Sequence, residues 1–507
     1  MSGGGTAAPT QGKGHLLDTR GLLWGVFFLA VFAMAARVPA SPDMWWHLRA
    51  GEVIARTGQF PYADFFSHTV AGKPWTDVYW LPQVVLYGVY AAAGLPGLMA
   101  VTALAVTLAF VPLARVTPGN LFVRAFALLL AAIAAAVSWV PRPQLVTFAF
   151  LSVTLWLLAR FRQRPESRLP LVLIPLFALW ANSHGGFPAG LICIGCVVVG
   201  WALERLVGWA GPETPSWRAL GKLALTAGAC LAATLCNPYT YHVLLLPFQT
   251  VGIQVLQDLI QEWAAPDFHL AHTQPFLGMV LLTVLTLALS PRRPALSDLV
   301  SVCAFTTMAL MAGRNISLAA LVLAPVLSQH ATWALERVAQ APRLAFLQCW
   351  GQPRPTPGRA TRVLNAGILC LLAVAALGKG VYVASVTDDA IRQTFPVGAA
   401  RFIRQERLPR EMFNPYNWGG FLVWELYPDY PVFVDGRTDL YDDPFLRRYL
   451  RVVWGQPGWE EILREAGVHF ALVEAGSLLD QWLGTCEGWR LAYRDDLAAV
   501  WVRSTSP

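Results

Sequence analysis

Asp43 is the first residue whose type and place could do chemistry. It follows a long apolar run directly, in the stretch Ser41-Pro42-Asp43-Met44-Trp45-Trp46-His47-Leu48-Arg49. A lone carboxylate there can take a proton from an attacking hydroxyl as a general base, or cap the N-terminus of a short helix. Trp45 through Arg56 pattern as a short amphipathic helix, with Trp45 and Trp46 suited to the headgroup region of a bilayer. His47 lies four residues beyond Asp43, so the two share a face if the helix starts early enough. His47 reads as a group that assists proton movement or touches phosphate, or equally as a plain interfacial histidine. Arg49 and Lys73 read as phosphate contacts or as solvated charges.

Further polar groups stand between apolar runs. Arg142 sits in the short turn Pro141-Arg142-Pro143-Gln144, His184 in Asn182-Ser183-His184-Gly185-Gly186, and Arg314 in Gly313-Arg314-Asn315. A charge at membrane depth is costly unless it faces a cavity or a partner. Arg142 and Arg314 are therefore candidates for holding an anion, with structural pairing the alternative. A long polar segment opens on Asn237-Pro238-Tyr239 and His242 and closes on Glu262-Trp263, Asp267, His269 and His272. His269-x-x-His272 comes closest to a metal-ligand spacing, and no His-x-His or His-Glu-x-x-His occurs, so no metal site is assigned. Near the C-terminus, Val432-Phe433-Val434-Asp435-Gly436-Arg437-Thr438-Asp439 reads as a strand entering a polar turn. Ligands often sit at such strand ends. Asp435, Arg437 and Asp439 thus meet an acceptor, or the turn seals itself with its own Asp–Arg pair. Asn414 to Gly420 reads as a second turn, with Trp418 stacking on a sugar or simply buried.

What must position these residues is a membrane scaffold. Of 507 residues 55% are hydrophobic and 14% charged, against roughly a quarter charged in soluble domains. Apolar runs near the length needed to cross a bilayer recur at about 20–38, 96–115, 121–139, 144–161, 169–182, 187–203, 219–236, 274–290, 296–313, 315–332 and 363–384. Residues 77–94 read as a second interfacial helix. The net charge of +7 does not imply nucleic acid, because the Lys and Arg gather in alternate short loops, where they set orientation. That asymmetry places the N-terminus in the cytoplasm, the C-terminus outside, and eleven spans between. The expected fold is thus a polytopic α-helical membrane protein with a soluble C-terminal α/β domain. Residues 1–19 form a disordered tail, 20–384 the membrane module with an external loop at 39–95, and 385–507 an extracytoplasmic domain. Within that domain, 397–406 and 443–466 read as helices, and 432–434, 468–473, 490–493 and 498–502 as strands. Six of the eight cysteines fall in spans, with Cys349 in a loop and Cys486 in the C-terminal domain, so no disulfide framework follows. No internal repeat of fixed period is present, which weakens an inverted-repeat transporter reading.

The order of first span, Pro42-Asp43, interfacial helix, Gly58-x-x-Pro61, aromatic loop, Gly72-Lys73-Pro74-Trp75, second interfacial helix and second span resembles the GT-C superfamily of membrane glycosyltransferases. The protein mannosyltransferase and lipid A aminoarabinose transferase branch is nearest, over about residues 20–115. That branch has an Asp-Glu pair after its first helix. Here Met44 stands in the Glu position, leaving the second acidic role unassigned. The resemblance implies inverting transfer of a sugar from a polyprenyl-phosphate carrier to an unidentified acceptor on the external face, fitting a bacterial inner membrane. It makes Asp43 the base and His47, Arg49, Lys73, Arg142, His184 and Arg314 the phosphate or substrate contacts, with Asp435, Arg437 and Asp439 on the acceptor side. Divalent metal serves some members of the superfamily, so a metal cofactor is possible and none is assigned. Two other readings stand beside it: a transporter or flippase for a lipid-linked saccharide, which would want polar residues in the middle of several spans, and a non-catalytic scaffold, which Met44 keeps open.

Overall fold

The computed structural model describes residues 17–211, 214–251, 253, 255, 262–343 and 358–504. Most of the expected N-terminal tail and Cys349 lie outside them. Helix α1 (Thr19–Ala35) starts where the Asp18 carboxylate accepts the Gly21 N–H at 2.7 Å, the arrangement that satisfies a helix's first free donors. Its apolar residues lead directly to α2 (Pro42–Thr57), which ends at Gly58 with φ 68°, a left-handed stop that glycine adopts freely. Helix α3 (Trp80–Val116) joins two elements expected separately, the interfacial helix and the second span. Gly94 (φ 59°, ψ −155°) breaks it between them, ahead of Pro96. At Gly51 a side chain would run into the Gln83 backbone carbonyl, so glycine lets α2 lie directly on α3.

The bundle continues through α4 (Leu121–Ala135), α5 (Gln144–Gln163), α6 (Leu173–Ala181), α7 (Phe187–Leu206), α8 (Trp217–Ala233) and α9 (His242–Val251). Helices Gln274–Leu289, Leu296–Met311, Ile316–Val338 and Arg359–Thr394 complete it. Each expected span falls on a helix. Among the described residues six helices are long and apolar enough to cross a membrane, and four further apolar helices are shorter.

The last long helix runs past residue 385, so the chain leaves it at Phe395 rather than at the expected boundary. Beyond it lies a mixed four-stranded sheet of order β1-β2-β4-β3, comprising β1 (Met412–Phe413), β2 (Phe470–Glu474), β3 (Trp489–Arg494) and β4 (Ala498–Arg503). β1 pairs parallel with β2, and the other pairs are antiparallel. Two expectations need correction. Val432–Val434 is not a strand of this sheet. Val432 instead makes a parallel bridge to Ser67 of the first loop, accepting from His68 N at 3.0 Å and donating to Phe66 O at 2.9 Å. And the expected turn at 414–420 winds into the helix Tyr416–Leu426, which buries Trp418, Gly419 and Gly420.

The first loop and the C-terminal region share one apolar core, in which Trp45, Trp46, Leu48, Phe66 and Trp75 pack with Phe395, Phe421, Val432 and Val434. Inside it Arg437 bridges Asp64 Oδ1 (2.6 Å) and Asp435, through Nε to Oδ1 (2.9 Å) and Nη2 to Oδ2 (2.6 Å). All three side chains are fully buried. The guanidinium also lies over the Trp75 and Phe66 rings at 4.7 and 5.1 Å. Breaking a buried pair leaves an uncompensated charge, which costs about 3–5 kcal/mol. Replacing Arg437 with Met strands two carboxylates, so Arg437→Met is expected to destabilise the protein by about that amount, read as a lowered thermal midpoint in detergent. The triple variant Arg437→Met, Asp64→Asn, Asp435→Asn is expected to recover part of the loss.

Candidate active site

The membrane module and the C-terminal region enclose a cavity of about 1680 Å³. Asp43 enters it from the first turn of α2. Its carboxylate does not cap the helix, since the N-cap is Ser41 and no side-chain capping bond forms. Instead Oδ1 accepts from Trp46 Nε1 at 3.3 Å and Oδ2 from Arg142 Nη1 at 2.5 Å. Arg142 is held by the proline-flanked turn before α5. Its Nη2 reaches Gln144 Oε1 at 2.8 Å and both Glu262 oxygens at 2.8 and 2.9 Å. The result is a carboxylate–guanidinium–carboxylate bridge on the cavity wall. Burial pushes the Asp43 carboxyl above its ordinary range, while Arg142 pulls in the opposite direction. Gly436 lies against this carboxylate, and a Cβ there would overlap Asp43 Oδ1.

Arg314 also lines the cavity, from a one-turn 3-10 helix, Gly313–Asn315. Its backbone N–H donates to Glu262 O at 2.9 Å, which pins segment 262–264 to this turn. Its guanidinium stacks on Trp263 at 4.0 Å and takes no carboxylate within ion-pair distance among the described residues. His47 and His184 also line the cavity. His47 Nδ1 lies 3.2 Å from Gln83 Nε2, which in turn lies 2.9 Å from Asp77 Oδ1. His184 Nδ1 contacts Thr147 Oγ1 at 2.8 Å and Gly186 N at 2.9 Å. Burial, with Arg142 adding to it, keeps His47 well below its ordinary value. Burial with Arg314 and Arg142 lowers His184 to about 3. Asp439 also lines the cavity, raised by burial to about 6.

The structure thus brings Asp43, His47, Arg142, His184, Arg314 and Asp439 to one cavity. It separates the other sequence candidates from it. Arg49 turns to the outer side of α2, where it pairs with Glu52, bonds to the Trp424 carbonyl and stacks on the Trp424 ring. Lys73 is partly exposed and 3.6 Å from Asp442. Asp435 and Arg437 are sealed in the buried triad, so neither is available to an acceptor. Sequence reasoning did not single out Glu262, Tyr79 or Trp263 as site residues. Only Glu262-Trp263, closing a polar segment, carried a signal.

The resemblance allows a divalent metal, but the residues present do not fit one. Asp43 and Glu262 both turn onto the Arg142 guanidinium, and no group of three or more His, Cys, Asp or Glu among the described residues could hold an ion.

No family model matches the sequence, and no curated protein matches it. Solved structures do. The oligosaccharyltransferase AglB from Archaeoglobus fulgidus, in complex with an inhibitory peptide and a dolichol-phosphate, aligns with TM-score 0.56 and 11% identity, over 89% of this chain and 69% of that one. The apo form of the A. fulgidus enzyme aligns with TM-score 0.54 and 13% identity over 89% and 69%. The form tethered by a disulfide to an acceptor peptide with the NVT sequon gives TM-score 0.51 and 12% identity over 90% and 70%. The chain has a GT-C fold. Here the first loop and the C-terminal region line the cavity together. Gly436→Ala is therefore expected to cost about 1–3 kcal/mol, the usual penalty of overpacking, measured by thermal melting. Adding Asp43→Ala to Gly436→Ala is expected to recover part of that loss, because it removes the overlapped oxygen.

Proposed function

We propose that the protein is a membrane glycosyltransferase that moves a sugar from a polyprenyl-phosphate donor to an acceptor at the external face, with Asp43 as base. The observation that carries this reading is a cavity in which Asp43 stands beside Arg142, and Arg314 presents a guanidinium with no carboxylate partner among the described residues. The GT-C fold and the dolichol-phosphate held by a structural neighbour support a lipid-linked donor. The acceptor hydroxyl attacks the anomeric carbon, Asp43 takes its proton, and the phosphate leaves with the charge that Arg314 and Arg142 meet. One displacement inverts the anomeric centre. Asp439 and the C-terminal wall face the acceptor. Arg142 favours the ionised form of Asp43 against the larger effect of burial, and its second contact, to Glu262, holds it within reach of a phosphate in the cavity.

The topology belongs to the same reading: eleven spans, a cytoplasmic N-terminus and an extracytoplasmic C-terminal region in a cell inner membrane. Arg160, Arg162, Arg164, Arg168, Arg205, Arg218, Lys222, Arg292 and Arg293 then fall on the cytoplasmic side.

In proteoliposomes supplied with a panel of radiolabelled polyprenyl-phosphate sugars and a membrane extract as the source of acceptor, the wild-type chain is expected to pass the label to an acceptor and release polyprenyl phosphate. Asp43→Asn is expected to lower that rate by about 10²–10⁴-fold with an unchanged melting temperature. A flippase or scaffold would be indifferent to it. Base catalysis needs Asp43 ionised, and burial raises its pKa. Activity is therefore expected to fall as pH drops through a value above the ordinary aspartate range, an acid limb that a kcat/KM profile reads directly.

A further inference from the structure

The two cavity histidines are anchored in the same way, and the anchors identify their tautomers. Behind His47, the Gln83 side chain is fully buried between Asp77 and the imidazole. With Asp77 ionised, the Gln83 atom 2.9 Å from its carboxylate is the amide nitrogen, because a carbonyl oxygen there would meet a second acceptor; burial raises Asp77 to about 7, so this orientation belongs to the upper part of the pH range. That nitrogen has two hydrogens. One goes to Asp77 Oδ1, and the other points at His47 Nδ1, 3.2 Å away. His47 Nδ1 is then an acceptor, and the ring proton sits on Nε2.

Behind His184 the argument is stricter, since a backbone N–H can only donate. Gly186 N–H meets His184 Nδ1 at 2.9 Å, so Nδ1 carries no proton. Thr147 adds a second bond to the same atom at 2.8 Å, and its oxygen is oriented by accepting from Trp180 Nε1 at 2.8 Å. The closeness of this packing appears at Gly186, where a Cβ would strike Thr147 and His184 together. Neither Nε2 atom has a protein hydrogen-bond partner among the described residues, neither is a sealed orphan, and both rings line the cavity. Tyr79 lies between them, its ring centroid 5.2 Å from His47 and 5.6 Å from His184. The charged and titratable groups facing the pair are Asp43, Arg142 and Arg314 from the cavity, Tyr79 between the rings, and Asp77 behind Gln83. The cations and burial both oppose a positive charge on either ring.

We propose that His47 and His184 are held as neutral Nε2–H tautomers and act as two hydrogen-bond donors to the phosphate of the lipid donor, without taking up or releasing a proton in the reaction. This rests on the reading of the cavity as a polyprenyl-phosphate site. It separates the work of the site: Asp43 handles the proton, and the imidazoles join Arg314 in holding the anion. It also accounts for the donors aimed at each Nδ1: a histidine taking up a proton at Nε2 needs an Nδ1–H that donates, which the Gly186 N–H opposes at His184.

The full chain, labelled with ¹⁵N-histidine and held in detergent, tests the tautomers by NMR. Two rings are expected to show one protonated and one bare nitrogen from pH 5 to pH 8, with the proton on Nε2 above about pH 7. One signal should vanish in His47→Gln and the other in His184→Gln. A ring that takes up a second proton in this range, or that carries its proton on Nδ1 in its upper part, overturns the proposal. Farnesyl phosphate binding to the same preparation tests the role. His184→Gln, which keeps a donor, is expected to stay within about threefold of wild type, and His184→Phe and His47→Phe each to weaken binding by about tenfold. Binding that survives both phenylalanine variants overturns the donor role alone. Failure of the wild-type chain to bind overturns the phosphate reading of the cavity and the donor role with it.

Discussion

Arg437 sits without water between two carboxylates, and the geometry of the cavity follows from that contact. Asp64 belongs to the loop after α2, and Asp435 to the C-terminal region more than three hundred residues later; one guanidinium holds both. Taking three charges out of water is expensive. The arrangement offsets that cost with a two-point contact to Asp435, a further bond to Asp64, and the faces of Trp75 and Phe66. Asp64 is itself tied down by Ser67 and by the backbone of Phe66. Gly436, caught between Asp435 and Arg437 in sequence, is thereby pressed against Asp43. The contact that joins loop to C-terminal region also sets what lies beside the proposed base.

Asp43 and Arg142 form a pair that would simply plug the carboxylate if nothing but protein surrounded them. The cavity beside them changes the meaning of the contact. A guanidinium shared between Asp43 and Glu262 leaves a cation at the edge of open space. Glu262 also places a second acidic group on the same guanidinium as Asp43. Its partner is a guanidinium, so the bridge has a fixed organic cation where paired acids elsewhere often hold an ion.

How much of this was legible depended on distance along the chain. Asp43 was legible because it stands at the end of an apolar run, and Arg142 and Arg314 because charges in short turns between spans need a reason. Arg49 was misread, although helix geometry alone argues against it: six residues beyond Asp43 is about 240° round an α-helix, on another face. The 432–439 segment was read as strand and ligand-facing turn because its local pattern says so. Only Asp64 and Ser67, remote in sequence, turn Val432 into a bridge and Arg437 into a buried clamp. The Asn414–Gly420 stretch looked like a turn by composition, yet Gly419 and Gly420 are small to admit Val434, Asp435 and Pro42 at close range. The helices themselves were legible from apolar length, and their joins, such as the break at Gly94, were not.

The central claim is that this cavity takes a phosphorylated lipid head between Arg314 and the Asp43 wall. Electron cryomicroscopy of the full chain with farnesyl phosphate measures it most directly. The account predicts phosphate density against the Arg314 guanidinium, on the side of the cavity that Asp43 faces. Phosphate density bound elsewhere on the chain, with the Asp43–Arg142–Glu262 bridge intact and the cavity empty, would contradict it.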